Sequence, residues 1–131
     1  MHIVLTVKDL AVSSAWYKEI FGWLGYKPAW EDEQCVYFKT DDNPMHLAIH
    51  QGHKEFEKDT FNRYRVGFHH LALRVKERAI IDEFYALLQS KNVVVPDPPL
   101  NYPEYNSEKG VYYAIFFNDP DGLRLELFFE G

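Results

Sequence analysis

The chain repeats itself, and any fold it adopts has to serve one pattern twice. A shift of 68 lays His2 on His70, Leu5 on Leu73, Val7 on Val75, Ala11 on Ala79, Trp16 on Phe84 and Tyr17 on Tyr85. A shift of 78 lays Asp41 on Asp119, Leu47 on Leu125, Ala48 on Glu126 and Ile49 on Leu127. The extra residues of the second half fit the segment 96–110. Self-similarity of this kind marks two equivalent supersecondary units.

Each half begins with strict alternation, the period of a strand with one buried face. In residues 2–8, Ile3, Leu5 and Val7 share one face, and His2, Val4 and Thr6 the other. Asp9 is placed to cap a helix. Val12, Trp16, Ile20 and Trp23 then recur at helical spacing, and Gly22 or Gly25 can end the helix. Strand-like runs follow at 26–30, 35–39 and 45–50. In the second half, residues 69–76 alternate again. Ile80, Phe84, Leu87 and Leu88 mark a helix that closes near Asn92. Val93-Val94-Val95, 111–117 and 123–129 supply three more strand candidates, the last entered through the turn Asp119-Pro120-Asp121-Gly122.

The expectation is an α+β fold. Two βαβββ modules, with eight strands and one helix outside each sheet, curl into a concave cup. Module 1 covers about 1–51, a polar connector 52–67 and module 2 about 68–131, all within a single domain of 1–131. Segment 96–110 reads as a long loop, of the kind used as a lid or binding loop.

Composition narrows the function classes. Hydrophobic residues make up 47% of the chain and aromatic ones 17%, so it can build a core and is not a disordered chain. A net charge of −6 without a basic stripe argues against nucleic acid as a partner. No apolar run is long enough for a membrane span, and no signal-peptide pattern opens the chain. Cys35 is the single cysteine, which excludes an internal disulfide and fits a cytoplasmic protein.

Strand parity gathers the chemistry. If Ile3, Leu5 and Val7, and Leu71, Leu73 and Val75, pack under the helices, His2 and His70 face the cup. Leu125 and Leu127 pack likewise, which turns Arg124, Glu126 and Phe128 to the cup. His46, Ala48 and His50 follow the same parity. A carboxylate in mid-strand needs a partner, because an unpaired buried charge is costly. His2, His70 and Glu126 form a two-histidine, one-carboxylate set, which suits a divalent metal with open positions. Ligand type does not choose among Mn, Fe, Ni, Co and Zn. His46, His50, Tyr102, Tyr105, Lys109 and Arg124 are candidate substrate contacts, and Tyr112 or Tyr113 can reach the cup.

The chain resembles the vicinal oxygen chelate superfamily, which includes glyoxalase I, bleomycin resistance proteins, fosfomycin thiol transferases and extradiol dioxygenases. The resemblance covers residues 2–129. It rests on the opening His2-Ile-Val-Leu-Thr-Val, the helix with Trp16-Tyr17 before Gly22, His70-Leu-Ala-Leu-Arg-Val, and Asn118-Asp-Pro-Asp-Gly-Leu-Arg-Leu-Glu126. It implies metal ligands at His2, Ala48, His70 and Glu126, with Glu126 also catalytic. Alanine at 48 departs from glyoxalase I-like enzymes, which carry a carboxylate there as ligand and base. The implied function is a metal-dependent enzyme of lyase, isomerase or dioxygenase type. Its small substrate would chelate the metal through vicinal oxygens, in a homodimer that completes the cup between chains. The alternative is a metal-free protein of the bleomycin-resistance type that sequesters a small molecule such as an antibiotic.

Overall fold

The computed structural model describes residues 1–131, which divide into two compact units, Met1–Thr60 and Phe61–Gly131. The first unit contains β1 (His2–Val7), α1 (Leu10–Trp23), β2 (Lys27–Glu31), β3 (Cys35–Lys39) and β4 (His46–Gln51). The second contains β5 (Leu71–Arg74), α2 (Arg78–Ser90), β6 (Asp97–Asn101), β7 (Tyr112–Asn118) and β8 (Arg124–Glu130). Each unit is βαβββ, and the sheet orders are β1-β4-β3-β2 and β5-β8-β7-β6. In both sheets the first strand runs parallel to the last, and the remaining pairs are antiparallel. The repeat holds to the residue: Val4 pairs with Ala48, and Ala72 pairs with Glu126.

The helix ends show why these segments stop where they do. The Asp9 carboxylate accepts from the backbone N–H groups of Ala11 and Val12. At the other end of α1, Tyr26 N–H donates to the Phe21 carbonyl and Gly25 N–H to the Gly22 carbonyl, with Gly25 at φ 93°. This is a Schellman stop, which needs a left-handed residue. α2 ends the same way. Val93 N–H donates to Leu88, Asn92 N–H donates to Gln89, and Asn92 holds φ 55°. Asn92→Gly is therefore expected to leave stability within about 0.5 kcal/mol, while Asn92→Ala costs about 1–2 kcal/mol. Urea denaturation of the two variants checks this.

The helix faces differ in part from the expected stripes. α1 buries Ser13, Tyr17, Ile20 and Phe21, whereas Val12 and Trp23 are exposed. Ser13 is small, so the helix approaches the sheet there. The Tyr17 ring then packs on Phe21 at 4.9 Å and on Phe38 at 6.5 Å. Reading hydrophobicity alone favoured the larger apolar side chains and rotated the stripe by about one position. In α2 the buried residues are Ile81, Phe84 and Leu88, with Ile80 and Leu87 half-buried at the margin.

Two strand expectations are corrected. The second strand of the second unit is β6, with sequence Asp-Pro-Pro-Leu-Asn, and not the β-branched Val93-Val94-Val95. Prolines are tolerated there because β6 is an edge strand, and its register shifts between Asp97 and Leu100. β2 is the equivalent edge and shows the same device, with Pro28 at a register shift. β5 begins at Leu71 and not at His69, because the His69 and His70 side chains meet. Neighbours in an extended strand point to opposite faces and cannot do this.

The long loop is also shorter than expected. After β6 it carries a 3-10 turn at Pro103–Tyr105. Tyr102 N–H donates to the Tyr112 carbonyl, and Asn106 and Asn101 side chains bond to residues 110–112. These bonds hold residues 101–111 against β7.

Candidate functional site

Glu126 lies in the middle of β8, beside Ala72 of β5 and Phe116 of β7. Its neighbours in sequence, Leu125 and Leu127, point into the core under α2 and are fully buried. Alternation therefore turns the Glu126 carboxyl to the other face, where it is nonetheless only 3% exposed. A carboxylate so buried needs polar partners, and it has one at each oxygen. The Tyr112 hydroxyl donates to Oε1 at 2.7 Å, and His70 Nε2 lies 3.0 Å from Oε2. Ala72 carries too small a side chain to stand between the His70 imidazole and Glu126.

Tyr112 is held by its neighbours. Its ring stacks on Phe128 at 5.0 Å and meets the edge of Tyr105 at 5.5 Å. Burial first, and then the hydrogen bond to Glu126, push its phenol far above the ordinary tyrosine value. It therefore stays protonated through the neutral range and acts as a permanent donor. Only the Oε2 side of Glu126 is left for another group. The His70 ring rests edge-on against Phe116 at 6.1 Å, and its Nδ1 lies 2.7 Å from His69 Nδ1. Tyr102 stacks on Tyr105 at 5.5 Å and meets Phe116 at 6.0 Å. An aromatic surface thus borders the His70–Glu126 pair, with Tyr105 its exposed end.

Sequence reasoning left one of these groups undecided and missed the role of another. Tyr112 lies in a run of apolar and aromatic residues with no alternation, so parity could not place it. The register with β8 does: Tyr112, Ala114 and Phe116 share the face of Glu126. His69 was expected inside the alternating strand 69–76, which would have turned its side chain away from His70.

The other predicted residues are distributed as follows. His2 belongs to the first unit, exposed, with the face of its strand continued by His46, its register partner on β4. Both imidazoles meet the Tyr37 ring, at 6.1 and 6.0 Å, and the Tyr37 hydroxyl lies 3.3 Å from His46 Nδ1. Ala48 is buried between Val4 and Tyr37 in the register, and offers no ligating atom. His50 is exposed and its Nδ1–H donates to the Gln51 carbonyl. Arg124 pairs with Asp97 at 2.7 Å and lies 4.1 Å over the Phe116 ring. Lys109 is exposed in the turn at 107–109.

The pair in the second unit has the separation expected of two neighbouring ligands of a divalent ion. Imidazole nitrogen and carboxylate oxygen bind such ions at about 2.0–2.2 Å. Two ligands at right angles in an octahedral site are then roughly 3 Å apart. The His70 Nε2–Glu126 Oε2 separation is 3.0 Å, a spacing that also serves a hydrogen bond. The structure brings together two of the three expected ligating side chains, and no group of three or more His, Cys, Asp or Glu side chains is placed to hold a metal.

Comparison with known structures supports the fold. A protein assigned as a glyoxalase from Bacillus halodurans is 25% identical, with 98% of this chain and 93% of that one covered, at a TM-score of 0.80. A glyoxylase/bleomycin resistance protein/dioxygenase domain from Frankia sp. EAN1pec is 23% identical over 99% of this chain and 95% of that one, at 0.75. A lactoylglutathione lyase from Agrobacterium tumefaciens is 18% identical over 98% and 91%, at 0.69. The latter two likenesses speak to fold alone. No curated protein matches the chain. The paired βαβββ units, the equivalent registers and a family model matching residues 1–127 place this chain in the Glyoxalase/Bleomycin resistance protein/Dioxygenase superfamily.

Proposed function

We propose that the chain is a metal-dependent enzyme of this superfamily, acting on a small substrate that chelates a divalent ion through vicinal oxygens. The reaction class is lyase, isomerase or dioxygenase, and the ion is Mn, Fe, Ni, Co or Zn. The observation that carries this reading is the buried Glu126 carboxyl, with Oε1 tied to Tyr112 and Oε2 3.0 Å from His70 Nε2.

His70 and Glu126 would hold the ion, and His2 is the third ligand by its repeat-equivalence to His70. We infer a homodimer in which His2 of one chain completes the site of its partner. When bound, such an ion supplies Lewis-acid stabilisation of an oxyanion or enolate. The chain's own residues do the rest. Tyr112 fixes the rotamer of Glu126 and leaves Oε2 as its free oxygen. Tyr102 presents ring surface against Phe116, beside the pair. The single cysteine agrees with a reducing, cytoplasmic setting, and no helix is long and apolar enough to cross a membrane.

A second reading has its own observation. Only two ligating side chains converge, and an aromatic surface borders them, which suits a metal-free protein that sequesters a small molecule. Metal analysis of protein purified without a histidine tag, before and after incubation with each candidate ion, separates the two. About one tightly held ion per chain is expected. Protein that takes up none of the five ions would discard the enzyme reading in favour of sequestration.

A further inference from the structure

We propose that His69 is a positioning residue for His70, holding the ring so that its Nε2 lone pair is presented to a divalent ion. This rests on the metal-site reading above. The two imidazoles meet nitrogen to nitrogen, Nδ1 to Nδ1, at 2.7 Å. One of those nitrogens must carry the hydrogen and the other the lone pair.

Glu126 decides which. As a carboxylate it only accepts, and with Oε2 3.0 Å from Nε2 it favours the tautomer of neutral His70 that carries its hydrogen on Nε2 when no ion is present. Its Nδ1 is then the lone pair, and His69 donates Nδ1–H to it. An ion on Nε2 requires the opposite tautomer of His70, with hydrogen on Nδ1. The same contact serves this state with its roles reversed: His70 Nδ1–H donates and His69 Nδ1 accepts. Each ring keeps one hydrogen throughout. His70 releases its Nε2 proton to water and takes the Nδ1 proton of His69, while exposed His69 takes a proton on Nε2 from water. Hydrogen count and charge therefore balance within the pair.

Little else gives His69 a purpose. It is exposed and precedes β5, and it adds nothing to the buried core. Its aromatic contacts are Tyr64 at 6.2 Å and His70 itself. Partners that hold the second nitrogen of a ligating histidine are typically worth about 10–100-fold in metal affinity.

The test is a Co²⁺ titration of the full chain, followed by the visible absorbance of the bound ion and by calorimetry. Wild type, His69→Ala, His69→Asn and His70→Ala are compared. His69→Ala should bind Co²⁺ about 10–100-fold more weakly, with an altered absorption band and an unchanged Tm. His69→Asn should recover most of the affinity, because its Oδ1 takes the place of Nδ1 as acceptor. If Co²⁺ binds wild type, is lost in His70→Ala and binds His69→Ala with unchanged affinity and spectrum, this inference alone is overturned. A His69→Ala defect that comes with a lower Tm and is not restored by asparagine also overturns it, in favour of a packing role. If wild type takes no Co²⁺, or His70→Ala binds it equally well, the metal-site reading fails and this inference with it.

Discussion

Glu126→Gln is expected to abolish metal binding at the proposed site and leave the fold standing. The amide has the shape of the carboxyl, so its oxygen still accepts from Tyr112, which donates at 2.7 Å in the parent. The other side now presents N–H₂ to His70 Nε2, and neutral His70 can answer by moving its hydrogen to Nδ1. The stability change should therefore stay near the net worth of one hydrogen bond, about 1 kcal/mol. Metal binding fares much worse, because the only anionic ligand of the proposed site is gone. Outer partners of a ligand already matter about 10–100-fold, so losing the ligand itself should cost more than about 100-fold. Calorimetric titration with Mn²⁺ or Co²⁺, beside thermal unfolding, checks both halves. Unchanged metal content with only a shifted Tm would return Glu126 to a structural role.

Much of this site was legible because alternation is unforgiving. Leu125 and Leu127 had to face a core, so Glu126 had to face away from it, and a buried carboxylate announces a partner. The repeat then placed that partner at the head of the equivalent first strand, where His70 stands. Topology followed from the same pattern, since both sheets place the last strand beside the first. Parity carries information only where residues alternate. Residues 112–117 are all apolar or aromatic, so the choice between Tyr112 and Tyr113 stayed open until β8 supplied the register. His69 was hidden for the opposite reason: its contact exists because the chain is not extended there.

The edge strand β6 illustrates a third limit. Its two prolines argue against a central strand and say nothing against an edge, where no ladder donor is missed. The β-branched Val93-Val94-Val95 beside it looked the better strand, but Val93 is consumed by the stop of α2 and Val94 only accepts from Asn118 at the end of β7. Local propensity lost to the geometry of the helix terminus. The Tyr102–Tyr105 surface follows directly from this placement, because the 3-10 turn begins where β6 ends.

Phe84→Ala is expected to be the most destabilising single change in the second unit. Phe84 is fully buried on α2, and its ring meets the edge of Phe117 at 5.0 Å and 69°. Phe117 belongs to β7, one residue from Phe116, which faces the other way and carries the His70 ring. The core face and the site face are thus alternate residues of one strand. Truncating a buried phenylalanine costs about 3–5 kcal/mol, including the cavity it leaves. That is a large share of the roughly 5–15 kcal/mol that holds an ordinary domain together, and corresponds to a Tm lower by roughly 10–20 °C. Phe84→Leu keeps most of the volume and should cost distinctly less, since shape changes of this kind are better tolerated. Urea denaturation of both variants orders them, and Co²⁺ affinity of Phe84→Ala under folding conditions reports whether the strand still presents His70 and Glu126. A loss below about 1 kcal/mol for Phe84→Ala would mean that α2 is held to its sheet by other contacts, because no relaxed cavity of that size comes so cheaply.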